Sequence, residues 1–222
     1  MPELVRPEFS VKDASLLLEE HYGLCCTLKE FPGERDRNFL AQEKKGETYV
    51  LKISNSCETL EFLQVQHAAL ERSSKLLEPG RIPIVFPAKN GESLLRVSSA
   101  DGSQHWMRLV RYVDGLPMAE YRPHTGEFLR ELGRMCGTVT KALHEIPAPP
   151  PSHTLLWEMH NVQETLHEYM PWIKDEKLLG WVKKSLDLYS RTIEALESKL
   201  RRGWIHNDFN DYNVLAVPKI SG

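Results

Sequence analysis

The chain has 222 residues, 41% of them apolar and 27% charged, with a formal net charge of −3. That length accommodates one large domain or two small lobes sharing a cleft, and the slightly acidic balance provides no footprint for nucleic acid. No apolar run approaches the roughly 20 residues of a membrane span, and residues 1–7 supply neither the basic nor the apolar part of a secretory signal.

In chain order, Ser10-Val11-Lys12-Asp13 is a capping box with Asp in place of Glu, opening a short helix that stops at Gly23. Segments 25–31, 38–42 and 48–53 read as strands, the last two joined by a hairpin turn at Lys44-Lys45-Gly46-Glu47. A helix is predicted over 58–77, ending before Pro79-Gly80. Strands follow at 82–86, 94–98 and 104–113, with Asp101-Gly102-Ser103 as a turn. Asp114-Gly115-Leu116-Pro117 breaks this pattern. Beyond it Phe128, Leu132, Met135, Val139, Ala142 and Leu143 keep the three-to-four spacing of a helix. The stiff connector 147–151 leads to helices over 155–169 and 173–200. The expected class is α+β: an antiparallel-sheet lobe over 1–113, then a helical lobe over 114–222, the order of a protein-kinase-like two-lobe fold. Cys25, Cys26, Cys57 and Cys136 form no Cys-x-x-Cys pair and read as reduced, mostly buried thiols of a cytoplasmic protein.

The segment 205–215 carries the sharpest chemical signal. His206 precedes Asp208 by two, and Asn213 follows Asp208 by five, the spacing of a kinase catalytic loop. In phosphoryl transfer such an Asp accepts the proton of the attacking hydroxyl, and such an Asn helps hold a Mg2+ ion on the phosphates. An Asp in this setting also caps turns habitually, but the Asn offset and the flanking Ile205, Val214 and Leu215 favour catalysis. His206 is expected to support the loop structurally.

Lys52 sits among strand apolars after a hairpin, where kinases place the lysine that binds the α and β phosphates; the bland reading is an outward-facing strand charge. Its carboxylate partner should come from the next helix, with Glu61 the natural candidate and Glu71, Gln64 and Gln66 as rivals. The turn 32–39 stands where a phosphate-covering loop belongs, with Asn38 and nearby N–H groups as contacts, but its single Gly is a weak signal and an ordinary polar hairpin is as good a reading. Segment 109–115 joins the lobes, and its backbone, with Tyr112 and Val113 beside the ring, is placed to recognise a purine edge. His153, His160 and His167 recur every seven residues. Helical zinc ligands usually recur at three or four, so a solvated face is the better reading. Glu158, Glu164, Glu168 and Asp211 offer charge for a cationic substrate, although acids on helices are normally surface.

The loop from His206 to Leu215, the lysine strand Tyr49-Val50-Leu51-Lys52-Ile53-Ser54-Asn55 and the linker from Val110 to Glu120 resemble the aminoglycoside phosphotransferase and choline kinase group, and within it the hydroxylysine kinases. The resemblance spans about residues 8 to 222. It implies transfer of phosphate from GTP or ATP, with Mg2+, to the side-chain hydroxyl of a small amine-bearing alcohol, 5-hydroxy-L-lysine first. Asp208 would be the base, Asn213 a metal ligand and Lys52 the phosphate lysine. Two departures stand out: Asn207 replaces the usual Gly, and no Asp-Phe-Gly follows the strand after Asn213. The expectation is therefore an incomplete helical lobe, as in a fragment or shortened isoform, with apolar surface exposed. Homoserine, choline and aminoglycosides are alternative acceptors, and a non-catalytic nucleotide-binding module is the alternative of a different class.

Overall fold

In a computed structural model of the chain, residues 6–33, 35–44, 46–147, 158 and 161–217 are described. They form two compact units, Met1–Ile146 with Ile205–Gly222, and Pro147–Trp204. Residues 148–151 of the connector, His153 and His160 lie outside the described residues.

The first unit begins with the expected capping box. Asp13 N–H donates to the Ser10 hydroxyl, and the Ser10 N–H donates back to the Asp13 carboxylate at 2.8 Å. Helix α1 (Val11–Leu17) runs on as a π-turn over Leu18–Tyr22 and ends at Gly23, whose φ of 71° suits glycine. Strands β1 (Cys26–Phe31), β2 (Arg37–Glu43) and β3 (Thr48–Ile53) follow. Helix α2 (Leu60–Leu76) is capped by the Thr59 hydroxyl, and then come β4 (Val85–Phe86), β5 (Leu95–Ser98) and β6 (Gln104–Arg111). The sheet is antiparallel in the order β1-β2-β3-β6-β4, with β5 pairing a different stretch of β6. The strand expected over 82–86 shrinks to two residues because Pro83 and Pro87 bracket it and neither has an N–H to give a ladder.

Period-two alternation divides the sheet into two faces. Phe39, Leu51, Ile53, Met107 and Leu109 point to one of them and are fully buried, packing with Phe9, Ala14, Leu18 and Tyr22 from the N-terminal segment and α1. That face is the core. The other face carries Asn38, Lys52 and Arg108.

A two-residue ribbon absent from the sequence-based expectation, β7 (Leu116–Pro117) with β8 (Leu215–Ala216), joins segment 205–217 to the sheet-bearing unit. Helix α3 (Gly126–Leu143), capped by Thr125, completes this unit, and Arg72 of α2 pairs with Glu145 at 2.9 Å. The second unit holds α4 (Val162–Tyr169) and α5 (Glu176–Thr192). Gln163 donates to the Ser190 hydroxyl between them, and Asp175 caps α5 through the Lys177 and Leu178 N–H groups. It exposes Trp172, Trp181 and Leu188. The four cysteines are free, as expected, but none is buried: Cys25 is exposed and the other three half-buried. Cys25 precedes the edge strand β1, whose first residue, Cys26, packs partly buried against the core.

Candidate active site

Residues directly opposite one another in an antiparallel ladder project to the same face. Asn38 on β2 faces Lys52 on β3, and Lys52 faces Arg108 on β6, so the three make a polar row across neighbouring strands. The next row on this face is apolar, with Leu40, Val50, Val110 and Val85 in register. Phe31, opposite Asn38, meets Tyr112 edge-on with ring centroids 6.1 Å apart. Within two rows the face grades from cationic and amide groups to an apolar floor edged by aromatic rings. That gradient suits a ligand with a flat apolar end and an anionic end.

Burial and the neighbouring Arg108 charge hold the Lys52 pKa below the ordinary lysine value, while Asp36 and Glu58 pull it back. Among the described residues no carboxylate lies within ion-pairing distance of its Nζ. The structure does not bring Glu61 to Lys52: Glu61 is exposed in the first turn of α2. The side chain that reaches the row is Gln66, whose Oε1 accepts from Arg108 Nη2 at 2.5 Å. Five residues separate Glu61 from Gln66, which turns their side chains about 140° apart round the helix. Asn38 is 7% exposed; its Nδ2 donates to the Pro32 carbonyl at 3.0 Å, drawing the turn over it. A Cβ on Gly33 would stand 2.3 Å from Asn38 Nδ2, so this close approach requires glycine.

The loop after Ile205 is organised around Asp208. Asn210 Nδ2 donates to its Oδ1 at 2.7 Å, and Asn213 Nδ2 donates to its Oδ2 at 2.6 Å. Asn210 Oδ1 in turn accepts from the Tyr212 and Asn213 N–H groups, an Asx turn that fixes Asn213. With its nitrogen committed to Asp208, Asn213 leaves Oδ1 without a hydrogen bond among the described residues. Asn207 has φ 62°, a left-handed conformation that Asn tolerates better than most side chains. The replacement of glycine there is therefore conformationally conservative. His206 Nδ1 accepts from the Asp208 N–H at 3.3 Å, and its ring lies 4.5 Å from that of Phe209. Partial desolvation keeps this imidazole below its ordinary pKa despite the Asp208 charge, as an accepting Nδ1 requires.

The linker holds this loop in place. Met118 N–H donates to the Val214 carbonyl at 2.8 Å and Ala119 N–H to that of Asp211 at 3.0 Å. At Gly115 an added Cβ would meet Leu215 Cβ at 2.8 Å, so the ribbon can close only over glycine. The Tyr112 N–H is taken by the Thr48 carbonyl, whereas no backbone hydrogen bond engages Val113 among the described residues.

A shallow cleft of about 570 Å³ runs between α2 and the 91–94 turn, lined by His67, Glu71, Glu92 and Trp106 among others. None of Asn38, Lys52 or Asp208 lines it. His67 contacts Ser93 Oγ through Nδ1 at 3.3 Å, while its Nε2 is buried without a partner. Burial, with Arg108 repulsion second, pushes its pKa down to about 4. The unfolded chain, with an ordinary imidazole, binds a proton that the folded chain refuses, so stability falls as pH drops from about 6.5 towards 4. His67→Gln is expected to flatten that slope by about 1 kcal/mol between pH 7 and 5, measured as urea midpoints of parent and variant at both pH values.

The defining pattern of the phosphotransferase enzyme family, APH, matches residues 27–222. The chain belongs to this family. Hydroxylysine kinase of Danio rerio is 24% identical over 235 aligned positions, covering 98% of this chain and 64% of that protein. Among solved structures, a microcompartment-associated aminopropanol kinase shares the fold with a TM-score of 0.69 at 18% identity, over 95% of this chain and 66% of that one. An amicoumacin kinase in complex with AMP-PNP and Ca2+ gives 0.59 at 11% identity, over 90% and 56%. An aminoglycoside phosphotransferase from Alicyclobacillus acidocaldarius gives 0.56 at 15% identity, over 95% and 64%. The fold is kinase-like, as expected, and the chain spans 56–66% of the length of these relatives.

In this phosphotransferase-family chain, Arg108 is the member of the polar row that the sequence does not single out. A signal existed: Met107 and Leu109 isolate it within an apolar strand, as Leu51 and Ile53 isolate Lys52. Among the described residues no helix is long and apolar enough to cross a membrane, and no group of three His, Cys, Asp or Glu side chains gathers as a metal site. At the loop, the Asp208 carboxylate and the Asn213 amide lie side by side.

Proposed function

We propose that the chain carries the donor site and catalytic loop of a small-molecule kinase that moves the γ-phosphoryl group of ATP or GTP to the side-chain hydroxyl of a small amine-bearing alcohol, 5-hydroxy-L-lysine first. The observation that carries this reading is the Asp208 carboxylate held between two amide nitrogens, with the Asn213 oxygen left open beside it. In this role Asp208 orients the acceptor hydroxyl and takes its proton as the oxygen bonds to phosphorus and the nucleoside diphosphate leaves. Lys52 and Asn38 meet the phosphates, and Val113 reads the base edge with Phe31 and Tyr112 beside the ring. His206 keeps the loop in shape. A hard divalent cation takes oxygen ligands, and the open Asn213 Oδ1 next to Asp208 fits Mg2+; such an ion neutralises phosphate charge when bound. The free thiols accord with a cytoplasmic setting.

The Danio rerio relative motivates hydroxylysine as the first acceptor, and the aminopropanol kinase extends the class to amino alcohols. The test is a coupled nucleotide-consumption assay with 5-hydroxylysine, homoserine, choline, 1-amino-2-propanol and an aminoglycoside, each with ATP and with GTP. Turnover with hydroxylysine above the others is expected. Turnover with choline and none with hydroxylysine would sink the acceptor assignment. Stabilisation by nucleotide and Mg2+ without turnover on any alcohol would instead leave a non-catalytic nucleotide-binding module.

A further inference from the structure

We propose that Arg108 is a second cation of the donor-phosphate site, gripping the nucleoside triphosphate beside Lys52, and that Gln66 is the residue positioning it there. The inference rests on the donor-site reading and adds to it a residue, and a reason for the neutral side chain on α2.

Arg108 is 6% exposed, yet among the described residues its only hydrogen bond runs from Nη2 to Gln66 Oε1, and its Nε and Nη1 are buried without partners. A guanidinium has five N–H donors, and leaving them unmet in a buried site carries a real desolvation cost. The arrangement is also electrostatically unsatisfied, because Arg108 stands directly opposite Lys52, and like charges directly opposite in a ladder repel. Asp36 and Glu58 lie near enough to temper both charges, but neither pairs with Arg108 among the described residues. Asp36 Oδ1 is already committed to the N–H and Nδ2 of Asn55. The polar row therefore holds two cations with free donors, next to an Asn38 amide whose Nδ2 already donates to Pro32, while the apolar row beside it needs no polar partner.

A polyphosphate supplies what the row lacks. Guanidinium forks match phosphate oxygens two at a time, and a neighbouring ammonium adds a point charge. The acceptor from α2 is an amide rather than a carboxylate. Gln66 fixes the fork without cancelling its charge; a Glu at the same place would form an internal ion pair and remove the site's second cation. The ligand class is a nucleoside triphosphate, recognised at its phosphate end.

The experiment measures affinity for ATP, GTP and inorganic tripolyphosphate, each with Mg2+, by calorimetry on the parent chain and on Arg108→Met, Gln66→Glu and Lys52→Met. Arg108→Met and Gln66→Glu are each expected to weaken tripolyphosphate and the better triphosphate by about tenfold or more. Adenosine or guanosine should bind each variant as it binds the parent. Gln66→Glu should also melt higher than the parent without ligand, so it keeps the test decisive if Arg108→Met does not fold. Parent-like triphosphate affinity in Gln66→Glu, with a loss in Lys52→Met, overturns the role of Arg108 and leaves the donor-site reading standing. No binding of any triphosphate by the parent overturns both. Losses in both Arg108→Met and Gln66→Glu, in a chain that phosphorylates no alcohol, uphold the Arg108 role while refuting the transfer reaction.

Discussion

Replacing Asp208 with Asn is expected to lower the rate of phosphoryl transfer by about 10²–10⁴-fold, the range a positioned general base contributes, with little change in nucleotide affinity. Asn keeps the size of the side chain but cannot take the hydroxyl proton. It also turns one acceptor into a donor against Asn210 Nδ2 or Asn213 Nδ2, both of which now donate to the carboxylate. The mismatch is local, because Asp208 is exposed and the loop is anchored through Val214 and the β7–β8 ribbon. The polar row that would hold the nucleotide lies on β2, β3 and β6, away from this substitution. Single-turnover transfer and calorimetric nucleotide binding, measured on the same preparation, separate the two effects. A variant that loses binding as steeply as transfer would show that Asp208 acts through site assembly and not as a base.

Lys52→Met is expected to act in two directions at once. Removing the ammonium proposed to meet the donor phosphates should lower kcat/KM by about 10²–10³-fold, as loss of one electrostatic stabiliser does elsewhere. The same change should stabilise the unliganded fold by about 1 kcal/mol, since it removes a desolvated charge facing Arg108 and replaces it with an apolar chain of similar length. For a chain of this size that is a rise in Tm of about 2–4 °C. The sign with pH follows from the lowered Lys52 pKa. The folded chain holds this proton less tightly than the unfolded chain, so the cost is fully present below the folded pKa and fades as pH rises towards 10.5. The stability gain of the variant should therefore shrink between neutral pH and about 10. A destabilised variant at pH 7 would mean that Lys52 has a structural partner and that the row is balanced without ligand.

Much of this site was legible in the sequence because it is local. The offsets of His206, Asp208 and Asn213 are fixed along one loop, and the apolar flanks of Lys52 mark its strand. The capping box at Ser10 and the Thr48–Ile53 strand emerged with the boundaries their signals gave. What was not legible depends on pairing between distant segments. Arg108 becomes a neighbour of Lys52 only through the β3–β6 register, and no spacing along the chain encodes that. The choice of Gln66 over Glu61 turns on the rotational phase of α2, set by the Thr59 cap and by packing. The β7–β8 ribbon joins residues about a hundred positions apart, and two-residue strands carry no periodicity to read.

The central claim is that Asp208 serves phosphoryl transfer from a nucleotide to a small hydroxylated amine. The most direct measurement is transfer of label from γ-³²P-ATP or γ-³²P-GTP to 5-hydroxylysine and the other candidate alcohols, by the parent chain and by Asp208→Asn side by side. Labelled phosphoester formed by the parent and reduced to background in the variant is the predicted result; equal labelling by the two proteins, or none by the parent with any alcohol, would contradict it.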